Sequence, residues 1–280
     1  MQPFDLEVRR GEWLGLFGHN GSGKTTLLRI VLGLSRPSSG RLLLEGSTPS
    51  GARWRDFRRR LGFMPERIAF YDDLSGDETL RYFAKLRGVD PDAATPLLDR
   101  VGLAGAAKRK VSGYSKGMRQ RLNLAQALVA DPEILVLDEP LEGLDPRGVR
   151  DLFELLRAGS ATTVVLASHR LPEVCSQVER VCILRNGVLR ATGTVDELFD
   201  RLELPTRIHV YPQEPLNGTL AVALERLGAS SLEERPDRMI AEVPHSRKTA
   251  FLLGLQGCGV AIRHLRVEEP SLEELTCDGG

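Results

Sequence analysis

Nine consecutive residues, Gly18-His19-Asn20-Gly21-Ser22-Gly23-Lys24-Thr25-Thr26, constrain this chain more than any other stretch. They fit G-x-x-x-x-G-K-[ST], the spacing of a phosphate-binding loop. The apolar run Trp13 to Phe17 before them reads as a buried strand. After them Leu27, Leu28, Ile30, Val31 and Leu34 recur at helical spacing. Strand, glycine loop and helix are the context in which this motif works. Glycines let backbone N–H groups turn toward phosphate oxygens, and the helix start adds positive potential. In such a loop Lys24 reaches the β- and γ-phosphates, and the Thr25 hydroxyl ligates Mg²⁺.

Composition narrows the setting. Lys plus Arg and Asp plus Glu both number 38 in 280 residues, so nothing favours a nucleic-acid binder. No apolar run approaches the ~20 residues of a membrane span, and no leader pattern is read at the N-terminus. A role at a membrane would be that of a soluble subunit. Cys175, Cys182, Cys258 and Cys277 show no C-x-x-C spacing and read as reduced thiols.

Along the chain, Phe4, Leu6 and Val8 alternate with Asp5, Glu7 and Arg9, the period of a half-buried strand. Leu42 to Leu44 reads as a second short strand. The arginines of residues 52–60, with Trp54 and Phe57 among them, read as a solvated helix face with two aromatic anchors. Leu61 to Met64 is apolar and stops at Pro65-Glu66. Ser75-Gly76-Asp77-Glu78 is a capping box opening a helix to about Arg87, with Gly88 as its left-handed stop. One helix is expected from Pro91 to Val101, and a long one after Ser115, ended by Asp131-Pro132. Ile134 to Leu137 is a wholly apolar strand ending in Asp138-Glu139, as in a parallel sheet buried on both faces. Asp145-Pro146 starts a helix as N-cap and first residue. Thr162 to Ala167 is another strand, ending at Ser168-His169, and Pro172 opens a helix to about Val178. A hairpin turns at Asn186-Gly187. Thr194 to Glu197 is a second capping box.

The character changes near Leu204-Pro205. Strands at 207–211, 231–235, 238–243 and 260–267, with helices at 216–227 and 246–256, give the order β-α-β-β-α-β of a ferredoxin-like domain. The expected fold is α/β: a phosphate-loop core, residues 1–203, with a helical insertion near 75–130, and a small α+β domain, residues 204–280. His209, His245 and His264 share no ligand spacing, so no metal site is expected there.

Three motifs follow the phosphate loop in fixed order: Ser115-x-Gly117, Asp138-Glu139 at a strand end, and His169 after a later strand. With the loop, this set resembles the ATP-binding subunits of ABC transporters over about Phe4 to Asp200. The resemblance implies an ATPase using Mg²⁺, with Gly18 to Thr26 as the Walker A loop. Asp138 and Thr25 would hold Mg²⁺, joined by Glu66 at the lid position. Glu139 would polarise the attacking water, Lys24 would bind phosphate, and His169 would contact the γ-phosphate. Leu144-Asp145 would be the D-loop. Two subunits would face head to tail, so that Ser115 and Gly117 act on the partner's ATP. The implied partners are a second copy and a multispan permease, at the cytoplasmic face of the inner membrane, with no nucleic acid.

The chain departs from the family pattern. The signature position reads Tyr114-Ser115-Lys116-Gly117-Met118, Glu66 stands where glutamine is usual, and Leu141 where threonine is common. The runs around Leu16 to Gly21, Gly62 to Glu66, Tyr114 to Arg121 and Ser168 to Pro172 resemble the ATPase that serves maturation of the copper enzyme nitrous oxide reductase, with a periplasmic maturation protein as an indirect partner. Glu66 and the run Glu269 to Leu275 are equally similar to general ABC-2-type exporters of drugs, ions or polysaccharides. A non-transport cassette ATPase and an ATP sensor that does not turn over are the readings from other classes. In the family an aromatic on the first strand stacks on adenine, farther upstream than the 17 residues that precede Gly18 here. The expectation is that this strand and its aromatic are missing, which would weaken ATP binding by the ~1–3 kcal/mol of one stacked base and leave the strand near Phe4 as an exposed edge.

Overall fold

A computed structural model describes residues 2–158, 163–201, 204–213, 218–257 and 259–269. Thr162, Leu216, Cys258, Cys277 and the run from Pro270 to Leu275 lie outside the described residues. The chain divides into two compact units between Thr192 and Gly193. The expected boundary at 203/204 therefore moves upstream, and the helix opened by the second capping box belongs to the second unit.

The first unit is built on a sheet of order β2-β3-β4-β1-β5-β6. Its strands are β1 (Trp13–Phe17), β2 (Leu61–Met64), β3 (Ile134–Asp138), β4 (Thr163–Ser168), β5 (Arg180–Arg185) and β6 (Val188–Gly193). The ladders β2·β3, β3·β4, β4·β1 and β1·β5 are all parallel. Parallel strands need crossovers, and helices supply them on both faces. On one face Leu14, Leu16, Val136, Val165 and Ala167 pack with Leu28 of α1 (Lys24–Val31) and Phe57 of α2 (Gly51–Arg59). The basic residues of α2 lie mostly outside, as its amphipathic pattern requires. On the other face Trp13 meets Phe153 with ring centroids 6.5 Å apart.

Between β2 and β3 the chain leaves the sheet. It forms α3 (Gly76–Arg87), α4 (Pro91–Ala94), α5 (Pro96–Arg100) and α6 (Lys116–Leu128). Both halves of the Ser75/Glu78 capping box form, and Gly88 closes α3 in the left-handed conformation. The single helix expected over 91–101 breaks at Thr95-Pro96, because proline has no N–H to continue the ladder. After β3 come α7 (Pro146–Ala158), opened by Asp145 Oδ1 accepting from Gly148 N–H at 2.7 Å, and the short α8 (Leu171–Cys175).

Two expected strands are absent. Phe4 and Leu6 do turn toward the core while Asp5 and Glu7 stay out, but residues 2–9 form no ladder. Alternation records which face is covered, not whether a neighbouring backbone is there to bond. Leu42 to Leu44 is reduced to one bridge, Leu44 to Ser47. The sheet edges among the described residues are β2 and β6, not a strand near Phe4.

The second unit comprises α9 (Val195–Arg201), β7 (Pro205–Pro212), α10 (Gly218–Arg226), β8 (Ser231–Arg235), β9 (Arg238–Pro244), α11 (Lys248–Gly254) and β10 (Ile262–Glu268). Its sheet order, β10-β7-β9-β8, is antiparallel throughout, the ferredoxin-like arrangement. Ile208, Val210, Met239, Ala241 and Val243 meet Leu220, Leu224 and Phe251 in its own core.

Ser75→Ala removes the buried cap hydroxyl and half of the box. A loss of about 1 kcal/mol in the first unit's stability is expected, measured by urea denaturation followed by far-UV circular dichroism.

Candidate functional site

The parallel strands end at one rim, and the chemistry-bearing residues collect there. β1 runs into the glycine loop, β3 delivers Asp138 and Glu139, and β4 delivers His169. Gly18 is required by packing: a Cβ there would run into the Leu184 carbonyl oxygen and the Ser22 side chain. Gly21 and Gly23 hold φ of 81° and 109°, values that side-chain-bearing residues avoid. Gly23 leads directly into α1, so the loop's N–H groups and the helix start share one concavity.

Lys24 is only 6% exposed. Its Nζ donates to the Gly18 carbonyl at 2.6 Å and the His19 carbonyl at 3.3 Å. It also stands 3.4 Å from Glu139 Oε1. Thr25 Oγ1 donates to Asp138 Oδ2 at 3.2 Å. Glu139 Oε2 accepts from the His169 backbone N–H at 3.2 Å and lies 2.9 Å from His169 Nδ1, which must carry hydrogen to bond a carboxylate. Thr25–Asp138 and Lys24–Glu139–His169, spread over 146 positions, are thus two bonded groups set side by side by the neighbouring positions 24/25 and 138/139. His19 is exposed, and its Nδ1 meets the Asn20 carbonyl oxygen at 2.7 Å. Asn20 and Thr26 are likewise exposed.

The cluster's charge is unbalanced. Two buried carboxylates face one ammonium. Burial pushes the Asp138 carboxyl above the usual carboxylate range; Glu139 and Glu66 push it further, while Thr25 and Lys24 pull it back. Asp138 Oδ1 and Ser22 Oγ are buried with no hydrogen-bond partner among the described residues. Unpaired polar atoms of this kind are costly unless something else satisfies them. Hard oxygen donors with surplus negative charge suit Mg²⁺, which keeps most of its waters and takes few protein ligands.

Glu66 pairs with Arg67 at 3.5 Å and is 39% exposed, at the rim of this charge cluster. Ser115, Gly117 and Asp145 are not joined to it by hydrogen bonds. Ser115 caps α6, accepting from Met118 N–H at 3.2 Å, and Asp145 caps α7. A Cβ on Gly117 would meet nothing, so that side of the α6 start is open.

Three positioning residues escaped the sequence reading. On α6, Gln120 donates to the carbonyls of Glu139 at 3.3 Å and Pro140 at 3.1 Å. Asn123 donates to the Pro65 carbonyl at 2.8 Å, and Gln126 to the Phe63 carbonyl at 2.8 Å. Their signal was a polar stripe at spacing three along a helix whose Leu122, Leu124, Ala125 and Ala127 are buried. Arg170 also ties the Leu141 carbonyl (2.9 Å) to Glu173 (2.8 Å), fixing the turn after Pro140.

A family model described as ABC transporter matches residues 1–142. The daunorubicin resistance ATP-binding protein DrrA3 of Streptomyces coeruleorubidus is 34% identical over 98% of this chain and 89% of its own length. The linearmycin resistance ATP-binding protein LnrL of Bacillus subtilis is 30% identical over 98% of this chain and 91% of its own length. A solved ATP-binding subunit of an ABC transporter superposes with a TM-score of 0.63 at 29% identity, covering 70% of this chain and 84% of that one. The phosphate-loop cluster and these likenesses agree: the chain belongs to the ABC transporter family, as an ATP-binding subunit that binds ATP with Mg²⁺ and hydrolyses it.

Proposed function

We propose that this chain is the ATPase of an ABC-2-type exporter for small amphiphilic compounds of the antibiotic kind. The observation that carries this reading is that two resistance proteins match the cassette and the second unit together, over 98% of the chain. Maturation of copper sites, the reading drawn from the loop, lid and signature runs, is borne by none of the relatives named above. The chain would work at a membrane through a multispan permease and as a head-to-tail pair of copies. None of its described helices is long and apolar enough to cross a membrane itself.

In this reading Gly18 to Thr26 cradle the phosphates, and Lys24 gives its ammonium to the β- and γ-phosphates in exchange for carbonyl oxygens. Thr25 and Asp138 would hold Mg²⁺, with Glu66 near them. The chemistry that Mg²⁺ would supply there is neutralisation of charge on the transferred phosphoryl group. Glu139 accepts a proton from the attacking water, and its hydrogen bond to His169 and ion pair with Lys24 hold the carboxylate in place. His169 Nδ1 is bonded to Glu139, and this leaves the far side of its ring for the γ-phosphate. Ser115 and Gly117, open at the start of α6, close on the ATP of the second copy, beside Asp145. Most of the rate comes from positioning and electrostatics.

Transport tests the reading. In cells that express the chain with a multispan partner, daunorubicin efflux that depends on Glu139 is expected. Unchanged efflux, together with Glu139-dependent gain of copper in a periplasmic enzyme, would favour the maturation reading instead.

Glu139→Gln should cut kcat by about 10²- to 10⁴-fold, the worth of a general base, while retaining ATP. Size-exclusion chromatography with light scattering should then find an ATP-held dimer. Lys24→Met removes a charge-assisted contact of about 1.5–3 kcal/mol. Calorimetric titration should show ATP binding weakened roughly 10- to 150-fold.

A further inference from the structure

Glu139 holds φ at 50°, in the left-handed region. A residue with a side chain keeps that conformation only where its surroundings over-determine it. Lys24 and His169 hold the carboxylate end. The backbone end is held differently. The Glu139 N–H donates to the Ala167 carbonyl at 2.9 Å, which ties it to β4. Its carbonyl accepts from the Glu142 N–H at 3.2 Å, closing a turn. The Gln120 amide then bridges the two consecutive carbonyls of Glu139 and Pro140. One helical turn earlier, Lys116 Nζ meets Glu142 Oε1 at 2.6 Å. Helix α6 therefore grips the turn 139–142 at two points on one face. The Lys116 pair is largely exposed, at 67% and 41%, and exposed pairs contribute little. Gln120 is half-buried and is the stronger hold.

We propose that Gln120 is a positioning residue for the Glu139 carboxylate. The proposal rests on the reading of Glu139 as the base. Without the amide bridge, the Glu139–Pro140 peptide turns, the left-handed residue relaxes, and Cβ no longer aims the carboxylate between Lys24 and His169. Gln120 lies on the same rigid helix that begins at Lys116, just after Ser115. A shift of the signature end of α6 is thereby felt at the base of the same chain.

The test uses the full chain and compares kcat with ATP affinity. Gln120→Met keeps the length and loses the donor; Gln120→Glu keeps size and polarity and also cannot donate. Both should lower kcat about tenfold, with the ATP dissociation constant within twofold and the melting temperature lowered by no more than about 2–4 °C, the worth of the lost hydrogen bonds. Added to Glu139→Gln, neither should lower the residual single-turnover rate further, because a residue acting through Glu139 has nothing left to position. Wild-type kcat in both Gln120 variants beside an inactive Glu139→Gln overturns the proposal and spares the base. A tenfold loss that persists in the Glu139→Gln background, or that comes with equally weakened ATP binding, also overturns it. Normal turnover by Glu139→Gln removes the base itself, and the proposal with it.

Discussion

The buried ammonium of Lys24 is the interaction on which the rest of the first unit depends. A cation in a dry interior is costly unless it is paired and hydrogen-bonded. Here two loop carbonyls and the Glu139 carboxylate surround it. To supply that carboxylate, β3 must end beside β1's loop, and the parallel sheet with β4 between the two strands delivers this. The position also follows the general behaviour of open α/β sheets, whose ligands bind beyond the carboxyl ends of the strands. Asp138 and Glu139 leave the cluster one negative charge in excess when both ionise, and burial raises the Asp138 pKa in response. Hard oxygen donors with that excess charge favour a cation such as Mg²⁺.

Helix α6 organises the second level. Its apolar residues, Leu122, Leu124 and Ala125, are buried as any amphipathic helix requires. Its Gln120, Asn123 and Gln126 reach backbone carbonyls on both sides of the site, at Glu139–Pro140 and at Phe63 and Pro65. The segments carrying Glu139 and Glu66 are therefore held by one helix. Strain at Glu139, of order 1–3 kcal/mol for a residue in a sparsely populated region, is met by this grip and by the bond to Ala167.

The second unit shows that its own sequence specifies its sheet. β7 is central and pairs with β10 and β9, so the first and last strands of the domain become neighbours. That order follows from two β-α-β halves wrapped on one core. The residues that form this core alternate along β7 and β9, and a one-residue slip would turn them all outward.

What the sequence determined by itself was local chemistry. The glycine loop, both capping boxes, the Asn186-Gly187 hairpin, the wholly apolar β3 and the N-cap at Asp145 each depend on residues a few positions apart. They formed as read. The order of those motifs also sufficed for the family, because each needs a particular residue type at a particular strand or helix end. Substrate was not legible that way: the runs that resemble a copper-enzyme maturation ATPase, such as Gly62 to Glu66, stand in a chain that matches two drug-resistance proteins over 98% of its length. Tertiary structure alone decided two further things. Residues 2–9 and 42–44 have strand patterning without strands, since a ladder needs a second backbone at bonding distance. Gln120 became part of the site because its partners, Glu139 and Pro140, lie 19 and 20 residues away in sequence and meet it only once β3 and α6 have packed.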